Sequence, residues 1–205
     1  IWDQQTESLQ RTTLPGHRIM SATYWPGHGW VISVDPRKSP DIYTLTDDLN
    51  LGQPLVEHWA IDISPHFDAR GKAMVFVSSR FGNPHIFLRH MDSGEVERIS
   101  FQGTYNTNPS ISPDGRFVAY SRLIKDKGHR IIVYDRQKKT ERQVSFGPGN
   151  DEDPAWGPDS YFLAFSSNRS GRYQLYVSTR HADEAKRIPT GQGAATSPAW
   201  RPRAE

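Results

Sequence analysis

Eight histidines, at positions 17, 28, 58, 66, 85, 90, 129 and 181, are the residues of this chain best suited to metal binding or proton transfer. None stands in a His-x-His or His-Glu-x-x-His pair, so spacing alone offers no zinc site. Cysteine is absent, which removes thiolate zinc sites, disulfide frameworks and cysteine nucleophiles together. Gly-x-Ser-x-Gly, Gly-x-Gly-x-x-Gly and P-loop patterns are missing as well, and with them the usual hydrolase and nucleotide signatures. What remains is the acidic triplet Asp151-Glu152-Asp153 and the arginines Arg37, Arg80, Arg122 and Arg169. Such a triplet can be a solvated turn, receive a partner's cationic group, or help hold a hard cation such as calcium, although carboxylates in short order seldom supply six oxygens. Arg37, Arg80 and Arg169 each fall 15 residues after an equivalent position, Ala22, Pro65 and Pro154. A guanidinium recurring in this way is expected to tie one repeat's loop to an acid or carbonyl of its neighbour. The match of Asn168-Arg169-Ser170 to a glycosylation acceptor is too short a pattern to carry an argument.

The elements that position these residues follow from a repeat. Ile111-Ser112-Pro113-Asp114-Gly115-Arg116-Phe117-Val118-Ala119-Tyr120 returns as Trp156-Gly157-Pro158-Asp159-Ser160-Tyr161-Phe162-Leu163-Ala164-Phe165, and more weakly as Phe67 to Phe76. With Pro113 as the register mark, the series runs Pro26, Ala69, Pro113, Pro158, Pro202, at intervals of 43, 44, 45 and 44 residues. Each unit reads as four short strands. A first strand such as Pro154-Ala155-Trp156 ends in a Pro-Asp-Gly type of turn, whose proline presets φ and whose glycine tolerates positive φ. A second strand, apolar on both sides (Phe162 to Phe165), is followed by a polar loop over 166–172, a third strand over 173–177 and a fourth over 185–189. Four strands in about 40 to 50 residues is the signature of a β-propeller blade. A β-sandwich is the alternative all-β architecture, but it does not repeat so regularly. Phe67, Trp156 and Trp200 share one repeat position and are expected between blades, so that truncating Trp156 should cost more than truncating Arg169.

Composition agrees with that architecture and narrows the partners. Among 205 residues, 25 basic and 23 acidic side chains give a formal charge of +2, too even for recognition of a polyanion by bulk charge. No apolar run approaches 18 residues, so no membrane-spanning helix is expected. The expected organisation is all-β: a propeller over 1–205, with 1–13 the end of a truncated blade, 14–196 four complete four-stranded blades, and 197–205 a closing strand with the natural C-terminus. Ile1 to Thr13 aligns with Val133 to Ser145 without a gap, which is the reason for reading the N-terminus as truncated.

The repeat resembles that of the TolB family, periplasmic propeller proteins of the Tol-Pal system. The residues that carry the resemblance are Ser78-Ser79-Arg80-Phe81-Gly82-Asn83-Pro84-His85-Ile86-Phe87, Gly103 to Pro109, Asp151 to Trp156, Ser166 to Tyr176, and the stop at Ser197-Pro198-Ala199-Trp200-Arg201-Pro202. The resemblance implies a six-bladed propeller, of which this chain holds the C-terminal part. It also implies a noncatalytic platform in the periplasm that docks the lipoprotein Pal and supports outer-membrane integrity and cell division. No cofactor, metal or catalytic residue goes with it, and the tie to the outer membrane is peripheral, through the partner. The chain departs from the family in lacking its N-terminal α/β domain and first blade, and in the degenerate turn Tyr24-Trp25-Pro26-Gly27-His28-Gly29.

In a four-stranded blade the link from the fourth strand to the next first strand opens at the channel mouth. The mouth loops expected here are 105–108, 150–153 and 194–197. By position Tyr105, Thr107, Asn108, Glu152 and Asp153 correspond to the family's partner-contacting residues. Independently, a polar rim suits a protein loop, whose backbone Asn, Thr and Glu side chains can satisfy. Two other functions compete: a propeller that gates substrates for a prolyl-oligopeptidase-like serine peptidase, and a sugar or lyase propeller with catalysis in its channel. A Gly-x-Ser-x-Gly domain in the parent gene would favour the peptidase; facing acid and base residues would be needed for the lyase.

Overall fold

The computed structural model describes residues 13–35, 39–182 and 184–201, and the backbone of two short strands, β1 (Trp2–Asp3) and β2 (Ser8–Leu9). β1 and β2 pair antiparallel, Trp2 opposite Leu9. Four antiparallel four-stranded sheets follow, each a run of consecutive strands. The first comprises β3 (Arg18–Trp25), β4 (Gly29–Asp35), β5 (Asp41–Leu45) and β6 (Leu51–Val56), and the second β7 (Asp62–Phe67), β8 (Ala73–Ser78), β9 (His85–His90) and β10 (Val96–Arg98). The third comprises β11 (Asn106–Ile111), β12 (Phe117–Ile124), β13 (Gly128–Asp135) and β14 (Thr140–Gln143). The fourth is β15 (Asp151–Trp156), β16 (Phe162–Ser167), β17 (Gln174–Thr179) and β18 (Lys186–Arg187). First strands of successive sheets touch one another, β3 with β7, β7 with β11 and β11 with β15. That contact puts the first strands around a common axis, as in a propeller.

Period-2 alternation decides the packing, because every second side chain of a strand faces the same way. In β8, Met74 and Phe76 join Val31, Ile42 and Phe67 in the core between blades 1 and 2, while Ala73, Val75 and Val77 join Val118, Tyr120 and Ile132 between blades 2 and 3. In β12 and β13, the alternate residues Phe117, Ala119, Ile131 and Val133 face Trp156, Leu163 and Phe165 of blade 4. Second and third strands are therefore buried on both faces, which is why they read as continuous apolar runs.

The turn between first and second strands is built by its aspartate. Asp114 Oδ1 accepts from Arg116 N (3.0 Å), and Ser112 Oγ accepts from Phe117 N (2.9 Å). Asp68 Oδ1 accepts from Lys72 N and Ala73 N in blade 2, and Asp159 Oδ1 from Tyr161 N and Phe162 N in blade 4. Gly115 sits at φ +73°, and a Cβ there would lie 2.9 Å from Asp68 of the preceding blade. Blade 4 places Ser160 at the same point, at φ +57°, and its Oγ accepts from Asp114 N across the blade boundary.

Several boundaries differ from the sequence reading. The second strand of blade 4 runs through Ser166 and Ser167, both fully buried, instead of ending in a loop at 166. First strands begin earlier than expected, at Asn106 and Asp151. Ser197 to Trp200, expected as a first strand, has no ladder partner among the described residues; Trp200 Nε1 nevertheless donates to Ala155 O at 3.0 Å, as Trp156 Nε1 does to Ser110 O. Phe67 and Trp156 are buried between blades as expected, but Trp200 remains 37% exposed.

Candidate interaction site at the channel mouth

Thr107, Asn108, Glu152 and Asp153 lie in strands rather than in loops, and a bulge aims them. In β11 the pairing passes from Thr107 opposite Ser121 to Ser110 opposite Ala119, so one extra residue is inserted; β15 does the same between Glu152 and Ala155. The inserted bend places Asn108 at φ +52° and Asp153 at φ +51°. Asn and Asp tolerate this left-handed region better than other non-glycine residues. The bend turns the two toward each other, and Asn108 Nδ2 donates to Asp153 Oδ1 at 2.7 Å across blades 3 and 4. Asp153 Oδ2 also accepts from Ser166 Oγ at 3.1 Å.

A second bridge runs beside the first. Tyr105, just ahead of β11 and 43% exposed, packs edge-on against His129 of β13, with ring centroids 6.1 Å apart. His129 Nδ1 lies 3.5 Å from Glu152 Oε1 of blade 4, and Tyr173 donates its hydroxyl to Glu152 Oε2. That bond, more than burial, raises the Tyr173 pKa and keeps the phenol a donor. Tyr105, Glu152, Asn108 and Asp153 thus form one cross-blade constellation. Thr107 joins it only through the ladder, opposite Ser121.

Asp151 belongs to a different system. It is fully buried and accepts from Arg169 Nη2 at 2.7 Å, while Arg169 Nε bonds Ser167 Oγ and its guanidinium lies over Phe165 and Tyr176. Blade 2 repeats the arrangement with Asp62, Arg80, Ser78, Phe76 and Phe87. Blade 3 substitutes Asn106 for the aspartate; Arg122 bonds its Oδ1 at 3.0 Å and pairs with Glu141 at 2.7 Å. These arginines are structural, but each clamps its own blade instead of reaching the neighbour. Arg37 lies outside the described residues. The three carboxylates of 151–153 consequently point to three different sets of partners, and among the described residues no three metal-ligating side chains converge.

Sequence reasoning missed two kinds of residue here. His129 and Tyr173 come from third strands or their approach, 23 and 21 residues from Glu152, where no local pattern announces them. Exposed aromatics also stand on the links between fourth and first strands: Trp59 (75% exposed), Phe101 (65%) and Phe146 (57%). The repeated Ser100-Phe101 and Ser145-Phe146 pairs were the available signal. Arg98 lies over both Phe81 and Phe101, at 5.4 and 5.7 Å from their ring centres. The constellation can accept hydrogen bonds and bury a partner's apolar groups.

Comparison with known proteins gives the architecture a family. The family model described as TolB beta propeller domain matches residues 4–204. The Tol-Pal system protein TolB of Xanthomonas campestris pv. campestris (strain B100) is 31% identical over 110 residues, 53% of this chain and 25% of that protein. Its Xanthomonas oryzae pv. oryzae (strain PXO99A) counterpart is 30% identical over the same length. The chain therefore matches about a quarter of the length of these curated relatives. Among solved structures, TolB from Acinetobacter baumannii superposes with a TM-score of 0.78 at 22% identity, over 89% of this chain and 46% of that one. The tricorn protease superposes at 0.61 and 19% identity, over 79% of this chain and 18% of that one. At these identities the two likenesses concern the fold alone.

Proposed function

The chain belongs to the TolB β-propeller domain family, and from that premise we propose that it is a noncatalytic binding platform of the Tol-Pal system in the periplasm. Its partner in this reading is the lipoprotein Pal, docked on the channel-mouth face, and its role is to support outer-membrane integrity and cell division. The observation that carries the reading is the cross-blade constellation of Tyr105, Glu152, Asn108 and Asp153, with exposed aromatics beside it. Aromatic anchors surrounded by hydrogen-bonding groups are what a protein interface needs. Glu152 and Asp153 each keep acceptor capacity beyond their internal bonds, so a partner rich in N–H donors suits them. The names of the curated relatives, Tol-Pal system protein TolB, support the choice of system.

Calorimetric titration with Pal tests the reading. Binding by the wild-type protein, weakened at least about tenfold, or ~1.4 kcal/mol, by Tyr105→Ala with Glu152→Gln, is the expected result. No binding of Pal by the wild-type protein would overturn the reading. Unchanged affinity in the folded double variant would move the contact elsewhere.

A further inference from the structure

The face opposite the mouth, formed by the turns between first and second and between third and fourth strands, holds a cavity of about 190 Å³ between blades 3 and 4. Among the described residues its charged lining is lopsided: Arg116, Lys138, Arg142 and Arg180 against the single carboxylate of Asp135. The guanidiniums of Arg116 and Arg180 each sit 4.8 Å from the centre of the same ring, Phe117. Arg116 is compensated by Asp135, at 2.9 Å. Arg180 is held in place by Tyr161, 5.2 Å away, and by donation of Nη1 to Ser160 O at 2.8 Å, and makes no ion pair among the described residues. Neither Lys138 nor Arg142 has an ion pair there. On the mouth face Arg80, Arg122 and Arg169 are each paired with a carboxylate, while Arg98 and Arg130 donate to backbone carbonyls. Like charges gathered without counter-charge cost free energy unless a ligand compensates them.

We infer that this inter-blade cavity is a binding site for a phosphoryl group. Among the described residues, three cations without an ion pair exceed the single charge of a carboxylate and suit a phosphate of charge about −1.5 to −2 with three acceptor oxygens. The Arg180 guanidinium, fixed on the Phe117 ring, supplies planar, pre-set donors for those oxygens, and Lys138 and Arg142 two adaptable charges, while Arg116 directs Nε and Nη2 to Asp135. The cavity is smaller than the ~300–1,000 Å³ typical of sites for drug-sized molecules, which matches a head group rather than a whole nucleotide. The site lies away from Tyr105 and Glu152 and does not depend on the partner read at the mouth.

The test is titration of the protein with inorganic phosphate, against chloride at matched ionic strength, followed by calorimetry and thermal melting. Lys138→Gln with Arg142→Gln removes two exposed cations from the cavity; Lys186→Gln with Arg187→Gln removes two from β18, outside it. The expected result is saturable binding with a rise in melting temperature, lost at least about tenfold, or ~1.4 kcal/mol, in the first variant and kept in the second. Absence of saturable binding, or equal losses in both variants, would overturn the inference. A second arm asks for the source of the group by flotation with phosphatidic acid vesicles and with phosphatidylcholine vesicles. Recovery with phosphatidic acid only, abolished by Lys138→Gln/Arg142→Gln, assigns a lipid head group; phosphate binding without flotation assigns a soluble phosphoryl compound.

Discussion

At the scale of single residues, Asp153 and Glu152 are neighbours with different duties. Asp153 joins two blades through Asn108 and Ser166 from a left-handed backbone position. Replacing it by alanine loses both bonds and places a Cβ residue where no side-chain acceptor rewards the strain, so Asp153→Ala should lower stability by about 1–3 kcal/mol. Glu152→Gln keeps shape and an acceptor for the Tyr173 hydroxyl and should cost less, about 1 kcal/mol or under. Denaturant melts of both variants check the contrast; a neutral Asp153→Ala would mean the cross-blade bond carries no load. His66 offers a pH test. Its Nδ1 accepts from Ile111 N at 3.3 Å across blades 2 and 3, and burial pulls its pKa down to about 4. In the unfolded chain the imidazole titrates near its ordinary value of about 6.5. The folded value is the lower one, so the stabilisation is complete above about pH 6.5 and is lost as pH falls toward 4. The window is worth at most about 3 kcal/mol, and His66→Gln, which keeps an acceptor without titrating, should flatten the stability profile between those pH values.

At the scale of elements, each blade depends on its core aromatic and on its arginine clamp. Trp156 is only 6% exposed and donates to Ser110 O of the preceding blade; Trp156→Ala should cost about 3–5 kcal/mol. The sequence suggested a smaller cost for Arg169→Ala. The structure revises that ranking, because losing Arg169 strands a fully buried Asp151, and breaking a buried pair from one side costs about 3–5 kcal/mol. Blade 3 indicates the remedy, since Asn106 occupies the aspartate's position. Adding Asp151→Asn to Arg169→Gln should therefore recover part of the loss, as urea melts of the single and double variants can show. The blades themselves were legible from the repeat spacing and from apolar runs buried on both faces. The start of each first strand was not. Asn106 to Asn108 and Asp151 to Asp153 are polar enough to pass for loops, and a left-handed bulge leaves no mark in hydrophobic periodicity. Of the candidate site, Tyr105, Asn108, Glu152 and Asp153 were named by their correspondence with the resembled family, whereas His129 and Tyr173 reach these residues only through the closing of strands distant in sequence.

At the scale of the whole molecule, inner strands touch across blades and each pair of blades encloses its own apolar core. The result is a scaffold with two chemically different faces. One carries exposed aromatics and internally bonded carboxylates; the other carries turns braced by aspartate and the cation-lined cavity. The central claim is that the first of these faces meets the protein partner. Amide hydrogen exchange of the protein with and without Pal tests it most directly, since protection reports where backbone becomes covered. The account predicts new protection confined to 59–61, 101–108 and 146–153, with 113–116 and 158–161 unchanged. Protection of the 113–116 and 158–161 turns in place of the mouth segments would contradict it.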